Sequence, residues 1–168
     1  MLKPLLLIMS VCRVSELKPR RFRRAGVIPY LQTPEGLVYV LARDRKYGTP
    51  GGFSGHVERD EPPLHAALRE FKEESLGVFG EYTTSQIGDC YAIYDEKELL
   101  ILLPVNLEKE KIQQLFGLRI RSNTDTSELL FFSSGELEQT LAGFGAETIH
   151  KRIRYLIMKA IEQYGMFL

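Results

Sequence analysis

The chain has 168 residues, 44% of them hydrophobic, which is enough for one compact core and leaves little for a second domain. Its 22 basic residues balance 22 acidic ones, so no whole-molecule field draws it to nucleic acid or to a membrane, and any electrostatic specialisation must be local. Two cysteines, Cys12 and Cys90, lie far apart without CxxC spacing, which argues against a disulfide framework or a zinc site and suits a reducing, cytoplasmic compartment.

The first strongly apolar run, Leu5 to Cys12, is far short of the ~20 residues needed to span a bilayer. No small-residue cleavage site follows it and Arg13 comes at once, so it is expected to be a strand or docked segment rather than a signal peptide. A basic stretch from Arg13 to Arg24 completes an N-terminal extension, and the whole chain, 1–168, reads as one domain. Gly26 to Leu31 and Leu37 to Ala42 are rich in β-formers and flank Thr33-Pro-Glu-Gly36, the composition of a hairpin turn. Gly48, Pro50, Gly51, Gly52 and Gly55 punctuate a loop, and a helix is expected to begin near Glu61-Pro62-Pro63 and to end at Gly77. Strands are expected over Tyr82 to Tyr94, Glu98 to Asn106 and Leu129 to Phe132, with a short helix over Lys109 to Phe116 and a helix start at Glu136-Leu137. Ile149, Ile153, Leu156, Ile157, Ala160, Ile161 and Tyr164 repeat at helical spacing, so Glu147 to Tyr164 is expected to be an amphipathic helix packed on the core. Strands alternating with a few helices define an α/β or α+β domain.

The chemistry is concentrated in the first of these helices. At about 100° per residue, Leu64, Ala67, Leu68, Phe71 and Ser75 share one arc, and Arg69, Glu70, Glu73 and Glu74 share another. Carboxylates three and four residues apart repel one another unless something positive lies among them. Mg²⁺ fits that role: it prefers oxygen ligands and is commonly shared between a few carboxylates and substrate phosphates. The alternative is a solvated acidic face, but that leaves the preceding loop unexplained.

Glu61 stands eight positions before Arg69, and Gly55 six before Glu61. A glycine, five residues, a glutamate, seven residues, then Arg69-Glu70-Phe71-Lys72-Glu73-Glu74 resembles the Nudix box, over Gly55 to Val78. Three departures stand out: two residues, Ser75 and Leu76, precede Gly77 where the family has one; Asp60 occupies a position often held by glycine; and Phe53-Ser54 separate Pro50-Gly51-Gly52 from Gly55. The resemblance implies an α/β/α sandwich with a mixed sheet and a hydrolase that uses Mg²⁺, with Mn²⁺ as the alternative ion, to cut a pyrophosphate bond in a nucleoside diphosphate linked to a moiety X. It implies Glu73 and Glu74 as metal ligands, Glu70 as a third ligand or the base, Arg69 as the residue that orients them, and Glu61 as a supporting acid. A further acid from beyond the box often completes the shell; Glu128 is the candidate, with Glu96 and Glu98 as weaker ones. Arg24, Arg43, Arg45 and His56 are the candidate substrate contacts. Within the family the substrate is a phosphoanhydride small molecule, with capped RNA or a diphosphoinositol polyphosphate as the alternative, and a non-catalytic binding module is a third reading. Oligomeric state is not fixed by the residues, although homodimers are frequent in the family.

Overall fold

The computed structural model describes residues 9–166. Leu5 to Ile8 of the apolar run therefore lie outside the described residues, and the rest of the run enters strand β1 (Ser10–Arg13). The chain continues through β2 (Arg24–Thr33), β3 (Gly36–Asp44), β4 (Pro50–Gly51), β5 (Phe53–His56), α1 (Pro63–Glu74), β6 (Tyr91–Tyr94), β7 (Glu98–Pro104), α2 (Lys109–Arg119), β8 (Thr126–Ser133), α3 (Ser134–Leu141) and α4 (Lys151–Tyr164).

One sheet runs β1-β6-β7-β2-β3-β4, with β5 added to β2 and β8 to β3. The β2–β7 pair is parallel and the other pairings are antiparallel, which makes the sheet mixed. A strand's side chains alternate between faces, and here both faces are covered. Leu99, Ile101 and Leu103 of β7 join one apolar cluster with Ala66, Ala67 and Phe71 of α1 and Ile112 and Phe116 of α2. Leu100 and Leu102 point the other way, into a second cluster with Leu137 of α3 and Ile153, Leu156 and Ile157 of α4. The result is the expected α/β/α sandwich.

Where β5 crosses β2, Gly26 is required by space. A Cβ there would lie 2.2 Å from the Ser54 Cβ and 2.5 Å from the Phe53 carbonyl oxygen. Its absence lets β5, and with it the box loop, lie directly on β2.

Local chemistry moved several boundaries. Tyr82 to Tyr94 is not one strand: Thr84–Ile87 forms a 3₁₀ turn in which the Thr83 backbone N–H donates to Gln86 at 2.7 Å, and only Tyr91–Tyr94 pairs. Helix α3 starts two residues before Glu136, because Ser133 caps it by accepting from the Glu136 N–H at 3.2 Å while the Ser133 N–H donates to the Glu136 carboxylate. Helix α4 starts at Lys151 and not at Glu147, with His150 as its cap accepting from the Arg152 N–H. Helix α2 runs on through Gly117 to Arg119.

Candidate hydrolytic site

Helix α1 carries Pro63 at its first position, where no intrahelical partner is needed for the missing N–H. The chain reaches it through Asp60, which adopts a left-handed conformation at φ +63°. This accounts for the departure from glycine there, since aspartate is among the residues that tolerate that region best. At the other end Leu76 (φ +56°) and Gly77 (φ +68°) are both left-handed, and the Gly77 N–H bonds back to the Lys72 carbonyl. The additional residue is thus absorbed beyond Glu74, and Val78 and Phe79 still reach the core.

Arg69 lies at the centre of the acidic arc. Its Nε and Nη2 reach both oxygens of Glu61 at 2.8 and 3.0 Å, a fork-to-fork pair. Nη1 donates to Glu70 at 2.8 Å and lies 3.4 Å from Glu73, and Nη2 also reaches the His56 carbonyl. This pairing, Glu61 foremost, holds the guanidinium's pKa above its ordinary value and the Glu61 carboxyl below its own. One cation therefore joins loop, helix start and glutamate cluster.

Gly55 supplies the space into which Glu70 projects. A Cβ on it would stand 2.2 Å from the Glu70 carboxyl carbon and 2.4 Å from each oxygen. Glu74 reaches the same loop one residue earlier, accepting the Ser54 N–H at 2.9 Å. Burial pushes its carboxyl up to about 8; the Ser54 bond opposes that shift and the nearby Glu70 charge adds to it. Glu73 is 60% exposed and has Arg69 as its ion-pair partner.

Glu74 opens into a cavity of about 230 Å³ between the box loop, the ends of β3 and β8 and the start of α4. Three buried side-chain atoms on its wall have no hydrogen-bond partner: Arg24 Nε, Thr49 Oγ1 and Glu98 Oε2. Arg24 and Glu98 open β2 and β7 side by side in the parallel register and form an ion pair at 3.4 Å. Burial raises the Glu98 carboxyl above its ordinary range, with Arg24 opposing. Buried polar atoms are nearly always satisfied, so this grouping marks a wall shaped for a polar ligand.

Of the sequence candidates, Arg24, His56, Glu74 and the weaker candidate Glu98 line this cavity, Glu96 does not, and Arg69 and Glu70 act at its loop. Glu128 does not come to it. It sits on β8 opposite Arg43, bonded to it at 2.8 Å, and lines a different cavity. Asp125, three residues earlier, lines the cavity instead and is near enough to raise the Glu74 pKa. Arg43 is held by Glu128, Glu147 and the Gly48 carbonyl, and Arg45 by the carbonyls of Thr124 and Arg121. Both arginines pin the loops around the cavity. Asp44, His150 and Arg152 also line it, brought there by strand pairing and by the α4 cap, and no local pattern in the chain marks them.

Among the described residues no three side chains of the metal-binding types form a complete cage. Mg²⁺ does not need one, because it keeps several waters and takes one or two carboxylates together with substrate phosphates. Glu70 and Glu74 fit such an ion: two neighbouring carboxylates, one buried with a raised pKa, form an arrangement that a cation would stabilise.

This sandwich, with the glutamate helix on one face and the box loop laid across the parallel strands, is the Nudix fold. Among solved structures it is similar to an Ap4A hydrolase of C. elegans in a binary complex, at 15% identity, covering 83% of this chain and 94% of that one with a TM-score of 0.53. It is also similar to a Bacillus subtilis pyrophosphohydrolase, at 17% identity, covering 95% of this chain and 93% of that one with a TM-score of 0.52. No family model matches the chain, and neither does any curated protein. No helix among the described residues is long and apolar enough to cross a membrane.

Proposed function

We propose that the protein is a Nudix hydrolase that uses Mg²⁺ or Mn²⁺ to cut a pyrophosphate bond in a nucleoside diphosphate linked to a moiety X. The observation that carries this reading is the convergence of Glu70 and Glu74 on the Ser54-Gly55 segment, at the edge of a cavity with unpaired polar atoms. A divalent ion held there would neutralise charge on the bridging phosphates and lower the pKa of water.

The chain's own residues supply the rest. Glu74 and Glu70 would hold the ion, and Glu73, exposed and held by a 3.4 Å contact to Arg69, would be able to turn toward the ion or a water. Arg69 fixes the rotamer of Glu70 and ties it to the loop carbonyl at His56. Asp125 and Asp44 line the same cavity and are the acids we assign to accept the proton that the attacking water loses. In the net reaction water gives its hydroxyl to one phosphorus, the bridging P–O bond to that phosphorus breaks, and the bridging oxygen leaves with the other phosphate. Arg24 and His56 line the cavity and would face the phosphates of a bound substrate.

The test is turnover with Mg²⁺ on nucleoside triphosphates, nucleotide sugars, dinucleoside polyphosphates, diphosphoinositol polyphosphates and capped RNA, with Glu74→Gln alongside. Cleavage of one class that the variant loses by at least ~10²-fold supports the reading. Equal turnover by both proteins at limiting Mg²⁺ refutes it.

A further inference from the structure

A second cavity, of about 500 Å³, adjoins the first and shares Arg24, His56, Glu98 and Arg152 with it. The two differ in charge. The first includes Asp44, Glu74 and Asp125, whereas the acids of the second are Asp95 and Glu98 alone. Both of these are buried: Asp95 accepts the backbone N–H groups of Lys97 and Glu98 at 2.8 and 2.7 Å, and one oxygen of Glu98 pairs with Arg24. The remaining charges around the cavity, Arg23, Lys97, Lys151 and Arg152, are cations on exposed side chains, and none forms an ion pair with a carboxylate among the described residues.

These cations come from three segments held in fixed relation. The Arg23 and Arg24 N–H groups both donate to the Lys97 carbonyl, at 2.8 and 3.0 Å, so the turn before β7 is fastened to the start of β2. The cap residue of α4 donates its N–H to the Pro50 carbonyl at 2.8 Å, which fixes Lys151 and Arg152 against the same end of the sheet. Lys72 and Lys159 have carboxylate partners, Glu81 and Glu162, and the other lysines without one among the described residues, Lys18, Lys46, Lys109 and Lys111, do not line this cavity. Like charges gathered round a concavity without carboxylate partners are an arrangement that a multivalent anion stabilises.

We infer that this annex binds phosphates lying beyond the bond that is cut, and that the preferred substrate carries a chain of three or more phosphates. The inference rests on the hydrolytic reading of the first cavity. A two-phosphate substrate with a neutral X leaves the annex cations without a partner, whereas a longer chain anchored at the glutamates extends through Arg24 and Arg152 into them.

The test is calorimetric binding of inorganic tripolyphosphate and of pyrophosphate to the wild-type chain and to Lys97→Ala/Lys151→Ala, in metal-free buffer. Both lysine side chains are exposed and make no hydrogen bond among the described residues, so the variant is expected to fold, and circular dichroism checks it. Tripolyphosphate should bind the wild-type chain more tightly than pyrophosphate does, and the double variant should lose ~tenfold or more of that affinity, with a matching fall in the ratio of kcat/KM for triphosphate over diphosphate substrates. Equal affinity of wild type for the two anions, or an unchanged tripolyphosphate affinity in the variant, overturns the inference. If tripolyphosphate binding depends on the lysines while Glu74→Gln and wild type turn over equally, the annex stands and the hydrolytic reading fails.

Discussion

Replacing Glu74 by glutamine should make the metal-free protein more stable while removing its activity. An unfolded chain ionises this carboxyl from its ordinary value of 4.5, whereas burial holds the folded carboxyl protonated up to about 8. Between those values the folded state binds more protons than the unfolded state, so this group's contribution to stability falls as pH rises. At ~1.36 kcal/mol per pH unit the interval sets a ceiling of about 5 kcal/mol, and water penetration into the cavity reduces the expected effect to about 3 kcal/mol. Glutamine is neutral at every pH, matches the shape, and keeps an oxygen to accept the Ser54 N–H. In EDTA at pH 8.5 the variant should therefore melt above wild type by about 6–12 °C, and at pH 5 the two should converge. Saturating Mg²⁺ should raise wild type and leave the variant where it was. Thermal unfolding followed by circular dichroism at the two pH values gives the answer. A variant no more stable than wild type at pH 8.5, or a gap that persists at pH 5, would refute the picture of Glu74 as a buried acid waiting for a cation.

Two further substitutions test the scaffold around it. In Gly55→Ala the new methyl group must displace the Glu70 carboxylate, so Mg²⁺ affinity measured by calorimetry should fall by at least ~10-fold, with a loss of stability of about 1–3 kcal/mol. Unchanged affinity would mean that Glu70 is not held there. Arg69→Lys keeps the charge but not the fork that spans Glu61, Glu70 and the His56 carbonyl, so a stability loss of about 1–2 kcal/mol in urea unfolding is expected together with a ~10–100-fold fall in kcat. Wild-type behaviour in both measurements would reduce Arg69 to a surface ion pair.

The glutamate helix was legible because its two arcs follow from helical geometry alone, and the box spacing ties it to the loop. The hairpin around Thr33 to Gly36 and the amphipathic C-terminal helix were legible for the same reason, since period and turn chemistry are local. The fates of the arginines were not. Nothing next to Arg43 in the chain announces Glu147, and nothing next to Arg45 announces the Thr124 carbonyl; both partners arrive through the pairing of β3 with β8 and the return of the chain before α4. The choice between Asp125 and Glu128 turned on that same pairing. Glu128 lies opposite Arg43 in the register, a register shift follows at Arg43–Asp44, and Asp125 falls on the cavity side. The 3₁₀ turn at Thr84–Ile87 was hidden by β-forming residues on either side, and the capping pair Thr83 and Gln86 was the available signal.

The pairing of Arg24 with Glu98 across the parallel strands has a consequence for synthesis. The glutamates, the glycine loop and Arg24 lie in the first half of the chain, yet the cavity they face is closed by Glu98, Asp125, His150 and Arg152, which leave the ribosome progressively later. A parallel pair also forms late, since its two strands are joined by a long excursion of chain. A nascent chain that has made the whole box therefore has carboxylates able to meet Mg²⁺ but no enclosed cavity to receive a phosphate. An enclosed cavity would then arrive only when α4 docks on the face of the sheet opposite α1.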